Sequence, residues 1–250
     1  MKTAAIIPAR MAATRFPNKP LAKILGLPMI EHVRRRVSFC EQLNEVVVAT
    51  CDKEIQEVVE AAGGRVIMTS DKHERCTDRI AEAACQIDAD VVINIQGDEP
   101  LVTPEMMNAV VSPFLSDSEL LSVNLVSPII DNEEFENPNA PKVVTNISGD
   151  VLYISREPIP SRKKAESNDY IKLKQLGIIA FRSDFLQVFT KLEPTPLEII
   201  ESVDMMRAVE HGYKVRIVKT EGRLVGVDVA GDIEKAEKLL STDPLLKKYL

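Results

Sequence analysis

Two aspartates, far apart in the chain, each follow a short apolar run: Asp98 after "VVINIQG" and Asp228 inside "GVDV". A carboxylate beside a dry strand end costs several kcal/mol unless it is paired or neutralised. A divalent cation removes that cost. Hard oxygen ligands suit Mg²⁺, which commonly takes one or two protein carboxylates and completes its shell with phosphate oxygens and water. The matching phosphate-binding groups lie in the loop "PARMAATRFPNKP" (8–20). Residues 1–30 contain five basic side chains, Lys2, Arg10, Arg15, Lys19 and Lys23, and no acid, in a chain of formal net charge −7. Arg10 offers a planar fork and Lys19 a mobile point charge for phosphate oxygens. Taken singly, each feature has a plainer reading: "GDEP" is also an ordinary turn, and the basic loop could be solvated surface.

These groups need a frame. The first third alternates apolar runs with amphipathic helices: strands at 3–9, 44–51 and 65–68, with helices at 29–40 and 53–63. A further helix at 77–87 leads to a strand at 90–96. Thr103 and Pro104 suit the cap and first turn of the next helix. The strands are continuous apolar runs without alternation, as parallel strands buried on both faces require. The expected class is α/β with an open, doubly wound, mostly parallel sheet, whose ligands sit beyond the carboxyl ends of the strands. The loop of Arg10 and Lys19, the charged segment Lys72-His73-Glu74-Arg75, and Asp98 all fall at that end. There is no GxGxxG and no Walker loop, so a dehydrogenase is disfavoured and side-chain cations hold the phosphates.

After residue 116 the pattern changes. A strand is expected at 120–129, a hairpin at 142–155 turned at Ser148-Gly149-Asp150, and an aperiodic surface segment at 156–170. A strand at 174–182 and a helix near 183–189 follow. One helix is expected over 195–212 with Gly212 as its cap, then strands at 213–220 and 226–229 and a closing helix at 230–240. We divide the single domain 1–250 into a nucleotide-binding half (1–127), a β-rich region (128–182) and a closing αβ segment (183–250).

Other features are less informative. Arg34, Arg35 and Arg36 face different sides of a helix and read as solvated surface or dimer contacts. His32, His73 and His211 lack metal-ligand spacing. Four cysteines without CxxC spacing suit free thiols in a reducing cytoplasm. The acidic balance argues against a nucleic-acid or membrane partner, and no apolar run approaches the roughly 20 residues of a membrane span.

Taken in order, "IPARMAATRFPNKPL", "VIMTSDKHERCTDRI", "INIQGDEPL", "KVVTNISGDVLYISREPIP", "LGIIAFR", "ESVDMMRAVEHGY" and "GVDV" resemble the 3-deoxy-manno-octulosonate (Kdo) cytidylyltransferases over nearly the whole chain. The resemblance implies a Rossmann-like nucleotidyltransferase with a smaller β-rich dimerisation region. It also implies a homodimer and Mg²⁺-dependent transfer of CMP from CTP to an acidic keto-deoxy sugar, for lipopolysaccharide or capsule biosynthesis. By the same resemblance, Arg10, Arg15 and Lys19 match the phosphate loop, and Ala9 with Thr77, Asp78 and Arg79 encloses cytidine. Asp98 and Asp228 bind the metal, Gln96 and Arg156 lie near the sugar, and Gln175, Glu201 and Asp204 stand at substrate-binding positions.

The chain departs from the family pattern at Asn18, where glycine is usual, and at Arg75-Cys76 in place of Ser-Gly. It departs again at Gln175, Ile179 and Phe181, in place of a histidine and two tyrosines, and at Met205. These departures are expected on the sugar side, leaving Kdo or a close variant such as 8-amino-Kdo open as acceptor. Alternatives are a cytidylyltransferase for a nonulosonic acid or polyol phosphate, and a non-catalytic nucleotide-binding module.

Overall fold

The structure is a computed structural model that describes residues 1–12, 16–161, 164, 170–222 and 224–250. Its spine is a mostly parallel sheet. Strand β1 (Thr3–Ala9) lies between β4 (Glu45–Thr50) and β6 (Val91–Ile95), parallel to both, and β5 (Arg65–Met68) extends the row beyond β4. Every residue of β1 and β6 is buried, which is why their sequences do not alternate. Helices α1 (Met29–Val37), α2 (Lys53–Ala61), α3 (Cys76–Ala84) and α4 (Pro104–Ser116) connect them, and two apolar clusters fill the faces of the sheet. Thr103 and Pro104 occupy the cap and first turn of α4, as their types predict. A small antiparallel pair, β2 (Lys23–Ile24) and β3 (Leu27–Pro28), precedes α1.

The second half completes the same sheet. Strand β10 (Leu173–Arg182) inserts antiparallel between β6 and β7 (Ser122–Pro128), and β11 (Arg216–Lys219) runs parallel to β7 at the edge. Helix α5 (Asn132–Glu136) adds one short turn to the acidic loop, Asp131 accepting from Glu134 N at 2.8 Å. Strands β8 (Lys142–Thr145) and β9 (Val151–Ser155) form the expected hairpin, with Gly149 at φ 80° in its turn.

Three expectations need correction. The single helix over 195–212 is two, α7 (Pro196–Glu201) and α8 (Met205–Glu210), separated where Ser202 turns left-handed at φ 51°. Residues 226–229 form no strand; Val227 spends its N–H on the carbonyl of Asp98 at 2.9 Å. The arginine triplet is engaged within the chain, with only Arg35 keeping 30% of its side chain exposed. Arg36 is wholly buried, donating to Val102 O at 2.7 Å and to Asp243 at 2.6 Å. Arg34 and Arg35 share Glu31, and Arg35 also donates to Tyr249 O at 2.8 Å. Together they dock the closing segment, α9 (Asp232–Ser241) and the residues after it, onto α1.

Candidate active site

Beyond the carboxyl ends of β1 and β6 the strands open into a cavity of about 310 Å³. Its walls include Ala9, Arg10 and Lys19 from the first loop, Gln96 and Asp98 from the turn after β6, and Asp228. The loop leaves β1 with Met11 N donating to Asp52 at 2.8 Å and re-enters regular structure at Asn18. Asn18 has φ 58°, the left-handed conformation that a glycine usually supplies and asparagine tolerates. Lys19 follows at once and reaches across the cavity. Its Nζ lies 2.5 Å from Asp98 Oδ2 and 3.8 Å from Asp228 Oδ1. The two aspartates, 130 positions apart, thus converge on one cation. The main-chain bond from Val227 to Asp98 brings the second carboxylate to the first.

The opposite wall comes from the segment entering α3. His73, Glu74, Arg75, Cys76 and Arg79 all line the cavity. Arg79 is buried and donates to Thr69 Oγ1 at 2.5 Å, which fixes it against β5. His73 is held by Glu82, which also accepts from Ser70 N. Gln96 donates to Cys76 Sγ at 3.3 Å, and burial pushes that thiol's pKa up. Arg75 pairs with Glu198, which Arg207 grips through two nitrogens at 2.8 and 2.7 Å. Thr77 donates to Asp204 at 2.9 Å. The start of α3 is therefore tied twice to the α7–α8 segment.

Next to Asp98, Glu99 behaves differently. Its carboxyl is buried and close to Asp98, and burial first, then that charge, push its pKa up to about 8. Asp98, with 28% of its side chain exposed, faces the cavity instead.

Of the residues expected at the site, Ala9, Arg10, Lys19, Arg79, Gln96, Asp98 and Asp228 meet around this cavity. Arg15 lies outside the described residues. Asp78 lines a shallower neighbouring cleft with Lys72, Lys191 and Arg207, and burial raises its pKa. Arg156 and Glu201 engage each other and the backbone. The guanidinium donates to the carbonyls of Glu201, Ser202 and Pro138, while Glu201 accepts from Tyr153, Ser155 and Arg156 N. Gln175 donates to Asn124 at 2.5 Å. Ile179 is buried, in register between Asn94 of β6 and Asn124 of β7.

Three departures, Ile179, Phe181 and Met205, sit in one buried apolar cluster away from the cavity. Phe181 is fully buried against Phe185 and Phe189, and Met205 is buried in the same cluster. Core volume accounts for both. His73, Glu74 and Cys76 line the cavity without having been assigned a role; their signal was position, after a strand at the ligand-facing end.

The Cytidylyltransferase family profile matches residues 4–219. The chain belongs to the cytidylyltransferase family. It is accordingly a nucleotidyltransferase. Among curated relatives, a 3-deoxy-manno-octulosonate cytidylyltransferase from Geobacter metallireducens is 43% identical over 96% of this chain and 98% of its own. One of the same name from Geotalea daltonii is 43% identical over 94% and 96%. A solved CMP:2-keto-3-deoxy-manno-octonic acid synthetase, complexed with CTP, superposes with a TM-score of 0.91 at 37% identity, covering 96% of this chain and 99% of that one. A cytidylyltransferase from Leptospira borgpetersenii, 18% identical, shares the fold with a TM-score of 0.67. No helix among the described residues is long and apolar enough to cross a membrane.

Proposed function

We propose that this cytidylyltransferase transfers CMP from CTP to the anomeric hydroxyl of Kdo, or of a close variant such as 8-amino-Kdo, releasing pyrophosphate. The observation that carries the reading is the convergence of Asp98 and Asp228 on Lys19 at the mouth of the cavity. Two partly exposed carboxylates fit Mg²⁺, which keeps several waters and shares phosphate oxygens. Among the described residues no three His, Cys, Asp or Glu side chains form a closed cage, and this ion needs none. Bound by Asp98 and Asp228, Mg²⁺ would neutralise charge on the phosphates and lower the pKa of the sugar hydroxyl.

The chain's own groups do the rest by position and charge. Arg10 and Lys19 hold the triphosphate and offset the charge that moves onto pyrophosphate as the bond between the α-phosphorus and the bridging oxygen breaks. Ala9 and Arg79 line the cavity beside the cytidine, Thr77 anchors the start of α3 to Asp204, and Gln96, steadied by Cys76, faces the incoming sugar. The sugar's oxygen attacks the α-phosphorus, its proton passes to solvent water, and pyrophosphate leaves with the electron pair of the broken P–O bond. Gln175, in place of a histidine and committed to Asn124, keeps a variant sugar in view. Four free cysteines suit the cytoplasm. A second copy of the chain is the expected partner, with Leu152 on the edge strand β9 and Ile199 and Ile200 on α7 exposed for it.

The test is pyrophosphate release with Mg²⁺ and CTP against Kdo, its 8-amino analogue, a nonulosonate and a polyol phosphate. Asp98→Asn should cost far more in kcat than in CTP binding, the loss in binding being limited to the part that Mg²⁺ adds. Tight CTP binding without release from any acceptor would favour a binding module instead.

A further inference from the structure

Glu99 turns away from the cavity that its neighbour faces. Its Oε2 is buried and without a hydrogen-bond partner, and its Oε1 accepts from Gly177 N at 3.3 Å. Gly177 lies where the register of β10 against β7 shifts, between Gln175 and Ile179. Its carbonyl accepts from Gln96 N at 3.2 Å. Both polar groups of Gly177 are thus held by the turn that carries Asp98. The fit leaves no room for a side chain, since a Cβ on Gly177 would stand 2.6 Å from Gln96 Cγ and 2.8 Å from Glu99 Oε1. Inside the turn, Glu99 N donates to Gln96 O at 3.3 Å and Val102 N to Glu99 O at 3.2 Å. On its outer side the carbonyl of Asp98 receives Val227 N.

We propose that Glu99 is a positioning residue for the carboxylate pair. By clamping the irregular stretch of β10 to the turn, it fixes the backbone of Asp98, and through the Asp98 carbonyl it fixes the segment bearing Asp228. The two acids of "GDEP" divide the work: one meets the ligand and the other sets where it stands. An amide of the same shape keeps the oxygen that accepts from Gly177 N, so E99Q should serve. Partners behind a metal ligand typically carry about 10–100-fold in metal affinity or activity.

The inference rests on Asp98 and Asp228 holding Mg²⁺, and the experiment separates the two ideas. CTP affinity is measured by calorimetry in EDTA and in excess Mg²⁺, for wild type, E99A, E99Q, G177A and D98N. Wild type and E99Q should gain affinity with Mg²⁺. E99A should lose that gain, a fall of about tenfold or more, while binding CTP normally in EDTA. G177A, which pushes on the turn from the β10 side, should reproduce E99A and covers the case in which E99A does not fold. A normal Mg²⁺ response in G177A or E99A, an equal loss in EDTA and Mg²⁺, or failure of E99Q alongside E99A would overturn the positioning role. A D98N protein that keeps the Mg²⁺ gain would overturn the reading of the site and this inference with it.

Discussion

Lys19 serves two sets of anions, and replacing it with methionine should move two observables in opposite directions. The ammonium sits 2.5 Å from one carboxylate and 3.8 Å from another, 15% exposed against 28% and 44% for Asp98 and Asp228. Exposed pairs contribute about 0.2–1 kcal/mol and breaking a buried one costs about 3–5. With both acids part-solvated, we place the loss in Lys19→Met at about 1–2 kcal/mol. In a chain of this size that lowers Tm by about 2–8 °C in EDTA. The two carboxylates then lose the ammonium they share and repel more strongly, so Mg²⁺ should raise Tm more in the variant than in wild type. CTP binding should move the other way. Losing a charge-assisted bond to phosphate costs about 1.5–3 kcal/mol, or roughly 10- to 150-fold in Kd. Thermal melts with and without Mg²⁺, and CTP calorimetry, read both. Wild-type CTP affinity in the variant, or a Mg²⁺ response no larger than that of wild type, would refute the idea that one ammonium stands in for the metal and then serves the phosphates.

Three further perturbations test the frame. Arg207→Leu leaves the buried Glu198 with Arg75 and the Thr195 N–H and should cost about 3–5 kcal/mol in urea unfolding; adding Glu198→Gln should recover part of it. Arg75→Ser removes only the part-exposed arm of that cluster, so it should cost about 1 kcal/mol or less. His32 is buried between Ile24 O and Tyr249 Oη, and burial lowers its pKa. Its contribution to stability is therefore present above the unfolded value, about 6.5, and is lost as pH falls below it towards the folded value. Urea midpoints at pH 7.5 and 5.5 should differ more in wild type than in His32→Asn.

The strands that build the cavity were legible because a strand buried on both faces has no choice but to be apolar throughout. The runs at β1, β4 and β6 announce themselves, and so do the polar residues that end them. What escaped the sequence depends on partners far along the chain. Nothing local to "RRR" tells that Val102, Asp243 and Tyr249 are waiting for it. "TPLEIIESVDMMRAVEHG" keeps helical spacing straight through Ser202, yet Glu201 is claimed by β9 and the helix breaks there. "GVDV" has the composition of a strand but meets a turn carbonyl instead of a neighbouring strand. At the site, charge type and position located Arg10, Lys19, Asp98 and Asp228. Phe181 escaped because an exchange of tyrosine for phenylalanine looks alike in a pocket and in a core.

The antiparallel insertion of β10 has a consequence for how the chain is made. Residues 91–95, "VVINI", are an apolar β-rich segment whose outer hydrogen bonds go to residues 178–182, synthesised more than eighty positions later. Until those residues leave the ribosome, β6 presents a bare sheet edge, the kind of surface that recruits other nascent chains. The parallel half can order early, but the turn bearing Asp98 lacks its bonds to Gly177 until β10 arrives. Slowing translation between β6 and β10, or lowering chaperone supply, should therefore deplete soluble protein rather than yield a folded but inactive form.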